Sequence, residues 1–296
     1  EKDTKKILQE KGLIVIDDLY KNRIRDYESK LFAGYESLYN DFFEDWDIIH
    51  PGLVQFEEKI INRKKNIVAA VLGKSYVGKS CAAKRVLVDF RKNGFLTFEF
   101  NMRSSEYMQL FLKYLEQLPE NTKVAVLFEE ASFYYSLIYT YLIRKCPNNI
   151  KQLVVVTSDT IGNYSAKRDI LEGNDSIEKF MIDEKISWNF ADKIYQKLKE
   201  KRWLNKPEIS GSDKDDLKRY ACKINDIIEF LYNISHGYGF EAHYADMFTM
   251  MDKDINFKYL QALAIMEILG LGSIPVRILP ALIKSERSRF NFKNFN

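Results

Sequence analysis

The stretch Gly73-Lys74-Ser75-Tyr76-Val77-Gly78-Lys79-Ser80 decides the reading of this chain. It is a full G-x-x-x-x-G-K-[ST] pattern with fitting flanks. An apolar run, Ile67 to Leu72, enters it as a buried strand, and Ala82, Ala83, Val86, Leu87 and Phe90 leave it at helical spacing. The glycines permit backbone angles that turn successive N–H groups inward around a phosphate. The helix that follows points its positive end at the same anion. Lys79 can reach the β- and γ-phosphates, and the Ser80 hydroxyl can ligate Mg²⁺. The expected nucleotide-binding set is therefore Gly73, Lys74, Ser75, Tyr76, Val77, Gly78, Lys79, Ser80 and Cys81, with ATP or ADP and Mg²⁺ as cofactors.

Working outward, the chain alternates strands and helices. Phe95 to Phe100 reads as a strand, Ser105 to Leu118 as an amphipathic helix, and Val124 to Glu130 as an apolar strand with two carboxylates at its end. A helix is expected from there to about Lys145, and then a buried strand, Leu153 to Asp159, with a polar tip. Such alternation implies a parallel sheet covered on both faces, an α/β fold of three layers. Ligands of such sheets sit at the carboxyl ends of the strands. The glycine-rich loop, Glu129-Glu130 and Thr157-Ser158-Asp159 all fall on that edge. Glu129 and Glu130 are the candidate catalytic pair: one carboxylate, Glu129, to hold Mg²⁺ together with Ser80, the other to orient and polarise a water. Thr157 and Ser158 can sense a γ-phosphate or cap the next turn, and both readings stand.

Upstream, Lys11 to Asp17 holds a short strand, and the aromatic-rich stretch Tyr27 to Trp46 reads as helical, a packing collar for the nucleotide domain. His50-Pro51-Gly52 breaks the pattern before a helix, Leu53 to Asn62. Downstream, Ile161 to Ser176 reads as a polar, mobile loop, Phe180 to Ile182 as a last short strand, and the chain is wholly helical from Ser187. Phe257 to Leu269, a Gly270-Leu271-Gly272-Ser273 turn and Val276 to Ile283 suit a winged-helix-like unit. The expected domains are an amino-terminal helical or linker segment (1–47), a nucleotide-binding domain (48–185), a helical lid (186–252) and the winged-helix-like segment (253–296).

The 296 residues are enough for about two domains and a sizeable core. A net charge of +3 is too mild to imply nucleic acid by itself. The three cysteines lie far apart in an odd number, which points to reduced thiols and a cytoplasmic setting. No apolar run reaches the ~18 residues of a membrane span, so no membrane partner is expected.

The order of loop, acidic strand, Thr-Ser-Asp strand, helical lid and winged-helix-like tail resembles the STAND branch of AAA+-related ATPases. These are the NLR-like signalling NTPases of plant and animal immunity and of bacterial antiphage defence. Phe180 to Ala191 is similar to the family's strand-to-lid linker, and Leu8 to Ile16 is similar to the end of sirtuin-like effector domains. The resemblance implies an ATP/ADP switch that self-associates through an attached effector or sensor in antiviral defence. The chain departs from the family at Glu129, where an aspartate is usual, and between residues 222 and 226, where a Gly-x-Pro signature is absent. Binding is therefore expected more firmly than turnover, and hydrolysis is expected to be slow or absent. The alternative is an AAA+ replication-initiator or transposition-type ATPase whose winged helix contacts DNA through Arg277, Lys284, Arg287 and Arg289.

Overall fold

The computed structural model describes residues 2–231, apart from 26, 34–36, 64–65, 75–76, 173–176, 184, 204–213, 225–226 and 228–229. Ser75 and Tyr76 of the glycine-rich loop, the lid beyond residue 231 and the winged-helix-like segment lie outside the described residues. The chain opens with α1 (Lys2–Lys11), β1 (Leu13–Val15), α2 (Ile16–Lys21), a 3-10 turn (Leu31–Ala33), α3 (Tyr39–Phe43) and α4 (Leu53–Ile61). The alternating part runs β2 (Ile67–Gly73), α5 (Lys79–Lys92), β3 (Leu96–Phe100), α6 (Ser105–Glu116) and β4 (Thr122–Glu129). A 3-10 turn (Ala131–Phe133), the short α7 (Tyr135–Leu137) and a π-helical turn (Ile138–Ile143) lead to β5 (Ile150–Thr160). Then come α8 (Ile161–Lys167), α9 (Asp169–Glu172), β6 (Ile177–Met181), α10 (Trp188–Glu200) and α11 (Lys214–Ile224).

The strands form one six-stranded sheet in the order β1-β3-β4-β5-β2-β6. All neighbours are parallel except β1, which runs antiparallel to β3 with Ile14 opposite Glu99. β2 is buried along its whole length. Side chains alternate across a strand, so Val68, Ala70 and Leu72 enter one core layer and Ile67, Ala69 and Val71 the other. The first layer also holds Phe98, Phe100, Phe111 and Tyr135, and the second holds the apolar face of α5. Burial on both faces is why β2 reads as a continuous apolar run. The architecture is the three-layer α/β arrangement with a mostly parallel sheet. Residues 2–47, expected as a helical or linker segment, place β1 at the sheet edge, Leu8 in the first layer and Ile16, Tyr39 and Phe42 in the second. A third cluster joins Phe190, Ile194, Leu198, Leu217 and Ala221 of α10 and α11 to Phe32.

Three local readings differ from the sequence. Tyr27 to Trp46 is not one helix, because side chains take over its backbone partners. Buried Asp41 accepts from the Leu38 N–H at 2.6 Å and from the Ser29 hydroxyl, and Asn40 Nδ2 donates to the Ile24 carbonyl at 3.0 Å. The stretch after β4 is broken into 3-10, α and π turns where one helix is expected. The expected loop from Ile161 instead carries α8 and α9. Thr160 caps α8 by accepting from the Asn163 N–H at 3.1 Å, and Tyr164 and Leu171 anchor the pair in the first core layer.

Candidate phosphate-binding site

β2 delivers the chain to Gly73, and the loop doubles back closely there. A Cβ on Gly73 would stand 2.7 Å from Val77 Cγ2 and 3.3 Å from Ile182 Cβ. Gly78 caps α5 with φ 88° and ψ 22°, a left-handed conformation that favours glycine. Having no side chain, Gly78 leaves the first N–H groups of the 14-residue α5 to be satisfied from outside the helix. Lys79 Nζ turns back and donates to the Lys74 carbonyl. A glycine-bounded turn, an uncapped helix start and an inward-folded lysine together make the donor set a phosphate requires, so the residues fit the group.

The sheet order then sets what faces this loop. β5 lies between β2 and β4, so Val71, Ser158 and Glu129 form one row across the three strands. Ala125 and Leu127 enter the α5-side layer, and by alternation Glu129 projects to that side as well. Lys84 of α5 confirms the direction, with Nζ 3.8 Å from Glu129 Oε1. Ser80 in the first turn of α5 and Glu129 at the end of β4 offer hydroxyl and carboxylate oxygens, hard donors that suit Mg²⁺. Among the described residues no three His, Cys, Asp or Glu gather as a metal cluster. A cation held by Ser80 and Glu129 would take its other ligands from phosphates and water.

Glu130 stands apart from Glu129. The strand stops between them: Glu130 has φ 47°, and its carboxylate is 67% exposed and engaged by Arg103. Thr157 and Ser158 also separate. Ser158 shares the Glu129 row, whereas Thr157 is fully buried beside Ala70 and Phe128, whose side chains belong to the opposite layer. Asp159, read from sequence only as part of a polar tip, accepts from the Ser132 N–H at 2.6 Å and the Tyr135 hydroxyl at 3.1 Å. Burial and the Asp159 charge push the Tyr135 hydroxyl well above its usual pKa, so it stays a donor. Asp159 thereby fixes the turn that follows Glu130.

Two neighbours of the loop were not legible as a group. His50 is buried, and its Nε2 would stand 3.1 Å from a Cβ on Gly78. Buried Arg85, on α5, donates from Nε to Asp47 Oδ2 at 2.8 Å and from Nη2 to Asp45 at 3.0 Å. Arg85 alone carried a positional signal, a basic residue inside the largely apolar face of α5 in a chain with the acidic run Glu44-Asp45-Trp46-Asp47 upstream. Cys81 is partly buried, and burial pushes its thiol up to about 11, so it remains protonated and leaves only its backbone N–H as a donor for an anion.

No protein-family model and no curated protein matches the chain. Among solved structures it is similar to Hsp104 of S. cerevisiae in complex with casein, at 11% identity, over 76% of this chain and 40% of that one, with a TM-score of 0.47. It is also similar to the ORC2 protein of Aeropyrum pernix with ADPNP and ADP, at 12% identity over 80% and 82% of the two chains, TM-score 0.41. A third is Cdc6p of Pyrobaculum aerophilum, at 11% identity over 74% and 66%, TM-score 0.45. This chain spans about two fifths of the Hsp104 chain. At these identities and TM-scores the likeness is one of chain path, and the reading of the site rests on its own residues.

Proposed function

We propose that the chain is an ATP- or ADP-binding module of the STAND-type, AAA+-related P-loop NTPases, working as a nucleotide-dependent switch for self-association. The observation that carries this is Gly78, a left-handed glycine opening α5 directly after the Gly73 turn. That is a backbone arrangement for an anion, reached by Lys79 and faced by Ser80. In this reading Lys79 binds the β- and γ-phosphates, Ser80 and Glu129 hold Mg²⁺, Glu130 orients water, and Ser158 lies nearest the γ-phosphate. Residues 48–185 form the nucleotide-binding domain, residues 186–252 the lid and residues 253–296 the winged-helix-like segment. Glu130 is held by Arg103, which favours binding over fast turnover. Its release from Arg103 would be needed before it could polarise a water.

The switch is supported by how the lid helix meets the core. His50, beside Gly78, packs on Phe190 of α10, and Lys197 Nζ and Lys201 Nζ donate to the Asp45 and Glu44 carbonyls at 3.0 Å and 2.7 Å. A ligand that favours one placement of α10 shifts the balance by its differential affinity. Light scattering of the protein with ADP and with a non-hydrolysable ATP analogue tests the proposal. A larger mass with the analogue is expected, and calorimetry should show that Glu130→Gln keeps nucleotide binding while hydrolysis is lost. Equal mass in both states, with both nucleotides bound, would overturn the switch.

A further inference from the structure

Lys84 and Arg85 are consecutive basic residues on α5, and both are buried, at 6% and 2% exposure. Both reach the segment before α4, and Lys84 also meets the end of β4. Arg85 holds Asp45 and Asp47. Lys84 Nζ donates to the Ser37 carbonyl at 3.3 Å, lies 5.9 Å from the Tyr39 ring centroid, and pairs with Glu129 across 3.8 Å. Tyr39 in turn donates its hydroxyl to Glu99, on the strand beside Glu129. One ammonium therefore touches both the carboxylate at the end of β4 and the backbone of the amino-terminal segment.

We infer that Lys84 is a positioning residue that competes with a divalent cation for Glu129 and couples occupancy of that carboxylate to residues 37–47. The inference rests on the nucleotide reading proposed above. A buried ammonium is stabilised by the carboxylate beside it. A cation drawn to the same oxygen faces that positive charge and binds less tightly for it. When the cation takes Glu129, Lys84 keeps Ser37 and Tyr39 as partners, and its hold on the amino-terminal segment changes with the state of the site. The segment also carries Asp45, whose carbonyl receives Lys197 of α10, so the change is placed to reach the lid.

The test is a Mn²⁺ titration of the ADP-bound chain, read by the electron paramagnetic resonance of free Mn²⁺, in wild type, Lys84→Met, Glu129→Gln and the double variant. Lys84→Met should tighten Mn²⁺ about tenfold, and the gain should vanish in the Glu129→Gln background. Lys84→Arg, which keeps the charge, should return the affinity toward wild type. Hydrogen exchange at residues 37–47 should change on adding Mn²⁺ to wild type and not to Lys84→Met. If Lys84→Met does not fold, Lys84→Gln carries the same comparison. ADP bound with equal Mn²⁺ affinity in wild type and the charge-removing variant overturns the inference and leaves the nucleotide reading standing. Failure of the folded wild type to bind ADP or ATP overturns both.

Discussion

The imidazole of His50 packs against the ring of Phe190, with centroids 4.9 Å apart, while its Nε2 would stand 3.1 Å from a Cβ on Gly78. One side chain thus touches both the glycine that opens α5 and the first turn of α10. Burial, with the charge of Lys193 adding to it, lowers the His50 pKa to about 4. A free histidine titrates near 6.5, so the neutral ring contributes its full stability above that pH and loses it as pH falls toward 4. Urea unfolding between pH 7 and 4.5 should show wild type losing up to roughly 3 kcal/mol more than His50→Gln. Parallel pH profiles would contradict the assignment.

Glu57 on α4 behaves in the opposite sense. Burial, then the charge of Asp89, raises its carboxyl to about 8, so it is protonated at neutral pH. Its stabilising contribution is complete below the ordinary carboxyl pKa and is lost as pH rises through 8. Glu57→Gln should keep that contribution and be more stable than wild type at pH 9 by ~1–3 kcal/mol, the cost of a buried charge without its hydrogen bonds. Thermal unfolding at pH 4, pH 6 and pH 9 separates the two: wild type loses stability progressively above the ordinary carboxyl pKa and up to about 8, and Glu57→Gln does not.

Gly78→Ala tests the loop backbone. Alanine pays for the left-handed φ of 88° and meets His50 Nε2 at 3.1 Å. Stability should fall by ~1–2 kcal/mol. Nucleotide affinity should fall further than stability does, because the first N–H groups of α5 turn away. A Gly78→Ala protein that binds ATP as wild type does would remove the phosphate role from this glycine.

The buried pair of Arg85 and Asp47 ties the amino-terminal segment to α5. Asp47→Ala leaves a guanidinium buried without its main partner and should cost ~3–5 kcal/mol in urea unfolding. The double variant Arg85→Met with Asp47→Ala should recover much of that loss, since the stranded charge is gone. A double variant as unstable as the single one would show that packing, and not charge, holds the segment.

The parts of this molecule that were legible are those whose signals are local. The strand before Gly73 and the helix after it follow from one apolar run and one helical spacing: β2 starts at the expected Ile67, and α5 spans every position from Ala82 to Phe90. The short strand between Lys11 and Asp17 also formed, but only the sheet shows it antiparallel to β3. Insertion of β5 between β2 and β4, which sets Glu129 in a row with Ser158, is a long-range pairing that no local pattern encodes. The separation of Glu129 from Glu130 was hidden for a related reason. Adjacent strand residues face opposite sides, and here the second has also left the strand. Lys84 and Arg85 were missed, and Asp159 was read only as part of a polar tip, because Ser37, Asp47 and Ser132, which they hold, lie more than 20 residues away in the chain.

Nucleotide binding at Lys79 is measured by calorimetric titration of ATP and ADP, with Mg²⁺ present, into the wild-type chain and Lys79→Ala. Wild type is expected to bind both nucleotides. Folded Lys79→Ala should lose at least ~1.5 kcal/mol of that affinity, about tenfold, as a charged hydrogen bond to phosphate is removed. Equal affinity in the two proteins, or no binding of either nucleotide by folded wild type, would contradict it.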